Sequence, residues 1–225
     1  MGVLDLIFPK TCLGCGKEGK YLCDDCLAKV RPAKPICAYC EKASIDGFSH
    51  TKCAKKLGLD GLTSIWEYEG VIRKAILSLK YKYSTLVGKE LTGCFISALR
   101  SQDSKFKIPN STTLVPIPLY WYRENTRGFN QSVEIGREVA AQMGWKFISD
   151  LLIKTKSTVS QVELKGNARR QNLKGTFVIN SSIKYRVSSI VLFDDVFTTG
   201  STLREAAKVL KRTGVTKVWG LTIAR

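Results

Sequence analysis

A chain of 225 residues has room for one sizeable α/β domain and a small appendage, and 44% hydrophobic residues is an ordinary globular content. A formal charge of +17 points to an anionic partner, either nucleic acid or phosphorylated metabolites. The chain has no uncharged apolar run of 18 residues and no Gly-Lys-Ser/Thr, so neither a membrane-spanning helix nor a Walker P-loop is expected.

The short apolar start carries Asp5 and runs straight into Cys12, unlike a secretory leader, and Leu6 stands where myristoylation favours Ser or Thr. A cytoplasmic protein is therefore expected. In that compartment paired cysteines mean metal more often than disulfides. Seven of the eight cysteines lie before residue 54, within an internal repeat over residues 12–57. Cys12 and Cys15 with Cys23 and Cys26 form one unit; Cys37 and Cys40 with His50 and Cys53 form the second. Each unit is a knuckle pair followed by a pair at the start of a short helical pattern. Four soft ligands at this spacing make a closed, structural zinc site. His50, the only histidine, falls where the repeat demands a ligand. One Zn²⁺ per unit is assigned, with exchange of pairs between units left open. So little apolar content over 46 residues does not fold unaided, which also argues for metal. Seven thiolates subtract seven charges and two Zn²⁺ restore four, leaving a net charge of about +14.

Gly58 to Gly61 marks the expected boundary between a zinc-binding domain, residues 1–60, and a larger domain, residues 61–225. Ser64 to Tyr68 has the pattern of a strand. Val71, Ile72, Ala75, Ile76 and Leu79 predict a helix ending in Lys80-Tyr81-Lys82, and Leu86 to Leu99 predicts another that carries Cys94 as a small core residue. A polar loop is expected over residues 101–111. Thr113 to Ile117 has the character of a buried strand, leading through Tyr120-Trp121-Tyr122-Arg123 to Arg127-Gly128-Phe129-Asn130-Gln131. A helix follows, with Val133, Gly136, Ala140 and Met143 on one face and Gly144 as its stop. Arg127, Gly128, Asn130 and Gln131 thus sit between strand and helix. Arg127 there suits a bidentate phosphate contact and Gly128 a special backbone angle.

Residues 154–177 carry Lys154, Lys156, Lys165, Arg169, Arg170 and Lys174 against the single acid Glu163, with weak apolar periodicity. A mobile basic loop is expected, of the kind that closes over a polyphosphate or meets DNA. Phe177 to Ile179 resumes a strand, and Lys217 to Ile223 is the last one.

The stretch around which the chain is organised lies between them. Ser189 to Phe193 is a buried parallel strand by its β-branched apolar run. Leu203, Ala206, Ala207 and Leu210 follow at helical spacing, with Gly214 as a stop. Between strand and helix lie Asp194 and Asp195, then Thr198, Thr199, Gly200, Ser201 and Thr202. The hydroxyl-rich loop turns donors toward an anion at the helix N-terminus. The acids repel phosphate, so they face sugar hydroxyls or a Mg²⁺ bridging to phosphates. Together the parts describe a sugar-phosphate pocket.

This run resembles the phosphoribosyl pyrophosphate (PRPP) signature of type I phosphoribosyltransferases. That resemblance implies an α/β fold with a mostly parallel sheet flanked by helices, Asp194 and Asp195 on the ribose hydroxyls, Thr198 to Thr202 around the 5′-phosphate, and the Arg127 loop on pyrophosphate. With the double zinc ribbon, the Val115-Pro-Ile-Pro-Leu119 and Arg127-Gly-Phe-Asn-Gln131 runs, Gln161, and Arg169-x-x-Asn172-x-x-Gly-x-Phe177, nearly the whole chain resembles the ComF family. The family implies a cytoplasmic competence protein that binds PRPP or a related sugar phosphate, with Mg²⁺, and single-stranded DNA, alongside other competence proteins, during natural transformation. The alternative is an active phosphoribosyltransferase acting on a base, nucleotide or protein. Such a transferase needs a hood above the sugar, here expected from residues 61–82 or the zinc unit. Tyr81, Tyr83, Tyr120, Trp121 and Tyr122, near basic residues, are candidates for base stacking.

Overall fold

The computed structural model describes residues 9–82, 85–101, 112–156 and 175–225. The zinc-type segment contains a short helix α1 (Asp24–Leu27) and one 3₁₀ turn. After it come β1 (Gly61–Trp66), α2 (Gly70–Lys82), α3 (Thr85–Ser101), β2 (Thr113–Pro116), α4 (Trp121–Arg127), α5 (Gln131–Met143), β3 (Lys146–Phe147), β4 (Leu152–Lys154), β5 (Phe177–Ile179), β6 (Ser189–Val196), α6 (Ser201–Arg212) and β7 (Lys217–Ala224).

Five strands form a parallel sheet in the order β1-β7-β6-β2-β3, while β4 and β5 pair antiparallel apart from it. The strand β6 owes its place in the middle of the sheet to its side chains. Ile190, Val191, Leu192 and Phe193 are all fully buried, which is affordable only where both faces are covered. Their alternation splits the core: Val191 and Phe193 join the cluster under α2, α3 and α5, whereas Ile190 and Leu192 join the cluster under α6. Burying each such side chain stabilises the fold by about 1.5–3 kcal/mol.

The connections decide where a ligand can sit. After β2 the chain runs through α5 on the first face and out to β3; after β6 it runs through α6 on the second face and back to β7. The two loops part between β2 and β6. In open parallel sheets a crevice forms at such a point, beyond the strands' carboxyl ends.

The zinc-type segment straddles the sheet's edge. Pro32 pairs with Trp66 and Phe48 with Gly61, and the Ala33 and Ser49 N–H groups donate to the Ile65 and Asp60 carbonyls at 2.9 Å each. The free edge of β1 is thereby closed by backbone hydrogen bonds. Cys12, Leu22, Cys23 and Val30 of the first unit belong to the cluster of the first face, and Ile36, Ala38 and Leu59 of the second belong to the other.

Several local expectations shift. The first strand starts at Gly61, three residues before Ser64, because its register against β7 places Gly61 opposite Trp219. A Cβ at Gly61 would lie 2.2 Å from the Trp219 ring. The buried face of α5 is Ile135, Gly136, Val139 and Ala140, with Val133 and Met143 only half-buried. Close approach of Gly136 to Leu114 and Phe193 sets that rotation. Lys154 belongs to a strand rather than a loop, since β4 pairs with β5 through Lys154 and Phe177.

Candidate functional site

The two predicted ligand sets come together as two separate clusters. In each, the four ligand atoms lie within 4.8 Å of one another, and all the cysteines are free of disulfides. Pairs are not exchanged: Cys12, Cys15, Cys23 and Cys26 form one set, and Cys37, Cys40, His50 and Cys53 the other. Cys15 Sγ is 3.7 Å from Cys23 Sγ, against about 3.8 Å for the edge of a tetrahedron with ordinary zinc–sulfur bonds. His50 Nδ1 lies 3.3 Å from Cys40 Sγ, while Nε2 sits 3.0 Å from the Ala43 carbonyl. That outer hydrogen bond fixes the tautomer and leaves Nδ1 as the ligand.

Electrostatics within the clusters call for a cation. Burial pushes the Cys12 thiol up, but N–H groups of Cys23, Cys15 and Gly14 outweigh it and hold it at about 6. Burial likewise opposes the N–H groups of Cys40, His50 and Tyr39 at Cys37, which settles at about 7. The side-chain bond with Cys15 raises Cys26 to about 12, and burial raises Cys53 to about 11. Each cluster accepts one thiolate and resists the next until a dication compensates. The sites have four protein ligands each, so they are structural zinc sites.

The acidic pair ends β6 in the crevice. Asp194 is half-buried and in register with Thr222 of β7; its Oδ1 accepts from the Asp195 N–H at 2.9 Å and from Ser132 Oγ at 3.4 Å. Burial first, then the neighbouring Asp195 charge, pushes its carboxyl up to about 7. Asp195 is held by Lys80, whose Nζ lies 2.7 Å from Oδ2. Burial pulls the Lys80 ammonium down, but the charges of Asp195 and Asp194 win and raise it, so it stays charged. Lys80 is the site residue that sequence reasoning missed. Its signal was there: Lys80 continues the Ile72–Ile76 stripe by one helical turn, where an apolar residue is the norm. Residues 61–82, one of the two expected sources of a cover, thus reach the acids.

The hydroxyl loop is shaped from below. Phe197 is buried and its N–H donates to the Ala224 carbonyl, while Gly200 crosses its ring at φ +66. A Cβ there would stand 2.4 Å from the Phe197 ring. Gly200 is also the N-cap of α6 and brings no side chain to the helix's first N–H groups. Thr199 Oγ1 and Ser201 Oγ share a hydrogen bond of 2.8 Å, Thr198 is exposed, and Thr202 is half-buried. Such an N-terminus, ringed by hydroxyls, suits a phosphate.

Opposite, Gly128 ends α4 at φ +76. Asn130 Nδ2 donates to the Ile117 carbonyl at 3.1 Å and its Oδ1 accepts the Ser132 N–H, whereas Gln131 Nε2 donates to the Leu79 carbonyl at 3.3 Å. Both side chains are buried and hold the crevice wall. The Arg127 side chain, with Lys165, Arg169, Arg170 and Lys174, lies outside the described residues. Lys154 Nζ sits over the Phe177 ring, and Lys156 is exposed. Trp121 and Tyr122 are exposed in an aromatic group with Tyr120. An apolar cavity of about 880 Å³ between α3 and α5 lies behind this wall, away from the acids.

Among the described residues no helix is long and apolar enough to cross a membrane. Residues 3–56 match the double zinc ribbon domain, and residues 130–224 match the phosphoribosyl transferase domain. Competence protein F of Haemophilus influenzae is 29% identical over 90% of both chains. The DNA utilization protein YhgH of Escherichia coli K12 is 26% identical over 89% of both, and Competence protein ComFC of Bacillus subtilis is 25% identical over 91% of this chain and 79% of its own.

Proposed function

From membership of the ComF family, in which a double zinc ribbon is joined to a phosphoribosyl transferase domain, we propose that this is a cytoplasmic competence protein that binds PRPP with Mg²⁺ and handles single-stranded DNA during natural transformation. The observation that carries the pocket is the order of groups from the end of β6 onward: two carboxylates, a hydroxyl loop, and a helix N-terminus with no side-chain cap. Asp194 and Asp195 accept from the ribose hydroxyls. The Thr198–Thr202 loop donates to the 5′-phosphate, with Gly200 allowing close backbone approach. The donor set, oxygen only, fits Mg²⁺, which would neutralise the pyrophosphate next to the acids. Lys80 keeps Asp195 oriented and offsets one of two adjacent negative charges.

Calorimetry with PRPP tests the pocket. Binding should require Mg²⁺, and Asp195→Ala and Thr199→Ala should each cost about 1–3 kcal/mol. Unchanged affinity in both variants would reduce the motif to an ordinary strand–helix junction. The match to a phosphoribosyl transferase domain also favours a second reading, transfer of ribose 5-phosphate to a base, nucleotide or protein. Pyrophosphate release from PRPP and Mg²⁺ in the presence of one member of an acceptor panel would establish it.

The DNA reading rests on charge, +17 in formal terms, and on the exposed Trp121 and Tyr122 as a stacking surface. Affinity for an oligothymidylate should fall with salt at a log–log slope of about −0.7 per phosphate neutralised. Negligible binding at low salt would remove this reading and leave the PRPP pocket standing.

A further inference from the structure

On the second face of the sheet, a cleft of about 580 Å³ lies between the second zinc unit and α6. Lys52 and Lys55 form one wall, immediately around the zinc ligand Cys53. Arg204 and Lys208 form the other, one turn apart on α6, with Tyr39 and Ser201 also in the lining. Among the described residues, Lys52, Lys55 and Lys208 have no ion-pair partner. The one acid in the lining, Glu205, accepts the Gly175 N–H at 2.9 Å.

This wall is built before any ligand arrives. Arg204 lies 5.1 Å over the Tyr39 ring and donates to the Ala38 and Tyr39 carbonyls at 2.7 and 3.3 Å. The Tyr39 hydroxyl in turn accepts the Leu59 N–H at 2.7 Å. Ordering cost at such a wall is low. Ser201 belongs at once to the cleft and to the hydroxyl loop, where it bonds Thr199. The cleft therefore opens off the phosphate site.

We infer that this cleft holds the sugar–phosphate backbone of single-stranded DNA and leads it to the phosphate loop. The inference rests on the DNA-binding reading above and gives it an address. Lysines on two facing walls suit successive phosphates of one strand, since flexible ammonium groups track a backbone without needing a fixed base sequence. The fixed Tyr39–Arg204 pair offers a stacking surface of the kind found in single-strand channels.

The test uses full-length protein and anisotropy of a labelled oligothymidylate across a salt series. Lys52→Gln, Lys55→Gln and Lys208→Gln combined should flatten the salt slope by about two units. A control triple at exposed lysines elsewhere, Lys29→Gln, Lys34→Gln and Lys146→Gln, should leave it unchanged. Both triples should keep two zinc ions and wild-type PRPP affinity, which separates DNA contact from damage to the fold or pocket. Lys52→Glu alone, at an exposed position, should weaken binding in the same direction. An unchanged slope in the cleft triple, or equal flattening in both triples, overturns the inference while DNA binding stands. Absence of DNA binding by the wild-type chain overturns both.

Discussion

The first cysteine unit places Cys12 and Cys23 in the hydrophobic core beside Leu22, Val30 and Ile72 and leaves Cys15 exposed, whereas the second buries Cys37 alone, with Cys40 exposed and His50 half-buried. Their fastenings differ in sign. Glu90 of α3 accepts the N–H groups of Tyr21 and Leu22 at 3.2 and 2.6 Å, while Arg204 of α6 donates to carbonyls of the second unit. Each unit completes a core face, and the second also walls a charged cleft next to the hydroxyl loop. Two copies of one ligand pattern have become an anchor and a site wall. Their neighbours, not their ligands, make the difference.

Loss of a ligand gives the largest test of that contrast. Cys23→Ala should lose one of two zinc ions and lower stability by about 3–5 kcal/mol, roughly 10–15 °C in melting temperature, because the site's metal affinity is folding free energy and its thiol lies in the core. Cys53→Ala should also lose one zinc ion but cost about half as much, and it should weaken PRPP and DNA binding. Metal analysis with thermal melts checks both. Equal destabilisation would erase the distinction between anchor and wall.

Helix α2 joins the first unit to the crevice, since Lys74 Nζ donates to the Gly14 carbonyl at 3.3 Å and Lys80 reaches Asp195. Lys80→Met should leave Asp195 without its counter-charge and cost about 2 kcal/mol. That is below the value for a fully buried pair, because the two side chains remain 23% and 16% exposed. Zinc content should not change, and PRPP affinity by calorimetry should. Stability without any change in PRPP binding would confine Lys80 to a packing role.

The two fastenings make a smaller pair of tests. Glu90→Ala strands two N–H groups and should cost about 1–2 kcal/mol with PRPP affinity intact. Arg204→Ala should cost about 1 kcal/mol, yet weaken PRPP several-fold through the first turn of α6. Reversal of that order, read by denaturant melts and calorimetry, would move the phosphate site away from α6. Smallest of all, His50→Cys completes a four-cysteine set and should stay within about 0.5 kcal/mol of the parent with two zinc ions bound. Loss of the second zinc there would mean that the Nδ1 geometry set by Ala43 is required.

The sequence by itself determined what is local. Ligand spacing assigned one zinc set to each unit, with only the exchange of pairs between units left for the structure, because knuckle pairs meet over a few residues of chain. The apolar run Ser189–Phe193, the acids and the Thr-Thr-Gly-Ser-Thr loop assigned a buried strand, its carboxyl end and the start of the next helix, all within one strand–loop–helix. Gly128, Gly144 and Gly214 marked their turns through positive φ, a property of single residues.

Only the tertiary structure decided what depends on partners far along the chain. No spacing rule pairs Lys80 with Asp195, 115 positions apart, or directs the Asn130 and Gln131 amides to the Ile117 and Leu79 carbonyls. The short β3 and β4 have too few residues to show a period of two, and they exist because neighbouring strands offer unpaired backbone groups. The placing of two like zinc units on opposite faces was equally illegible. It follows from edge strand β1, whose open hydrogen bonds draw residues 31–33 and 48–49 alongside and leave one unit on each side.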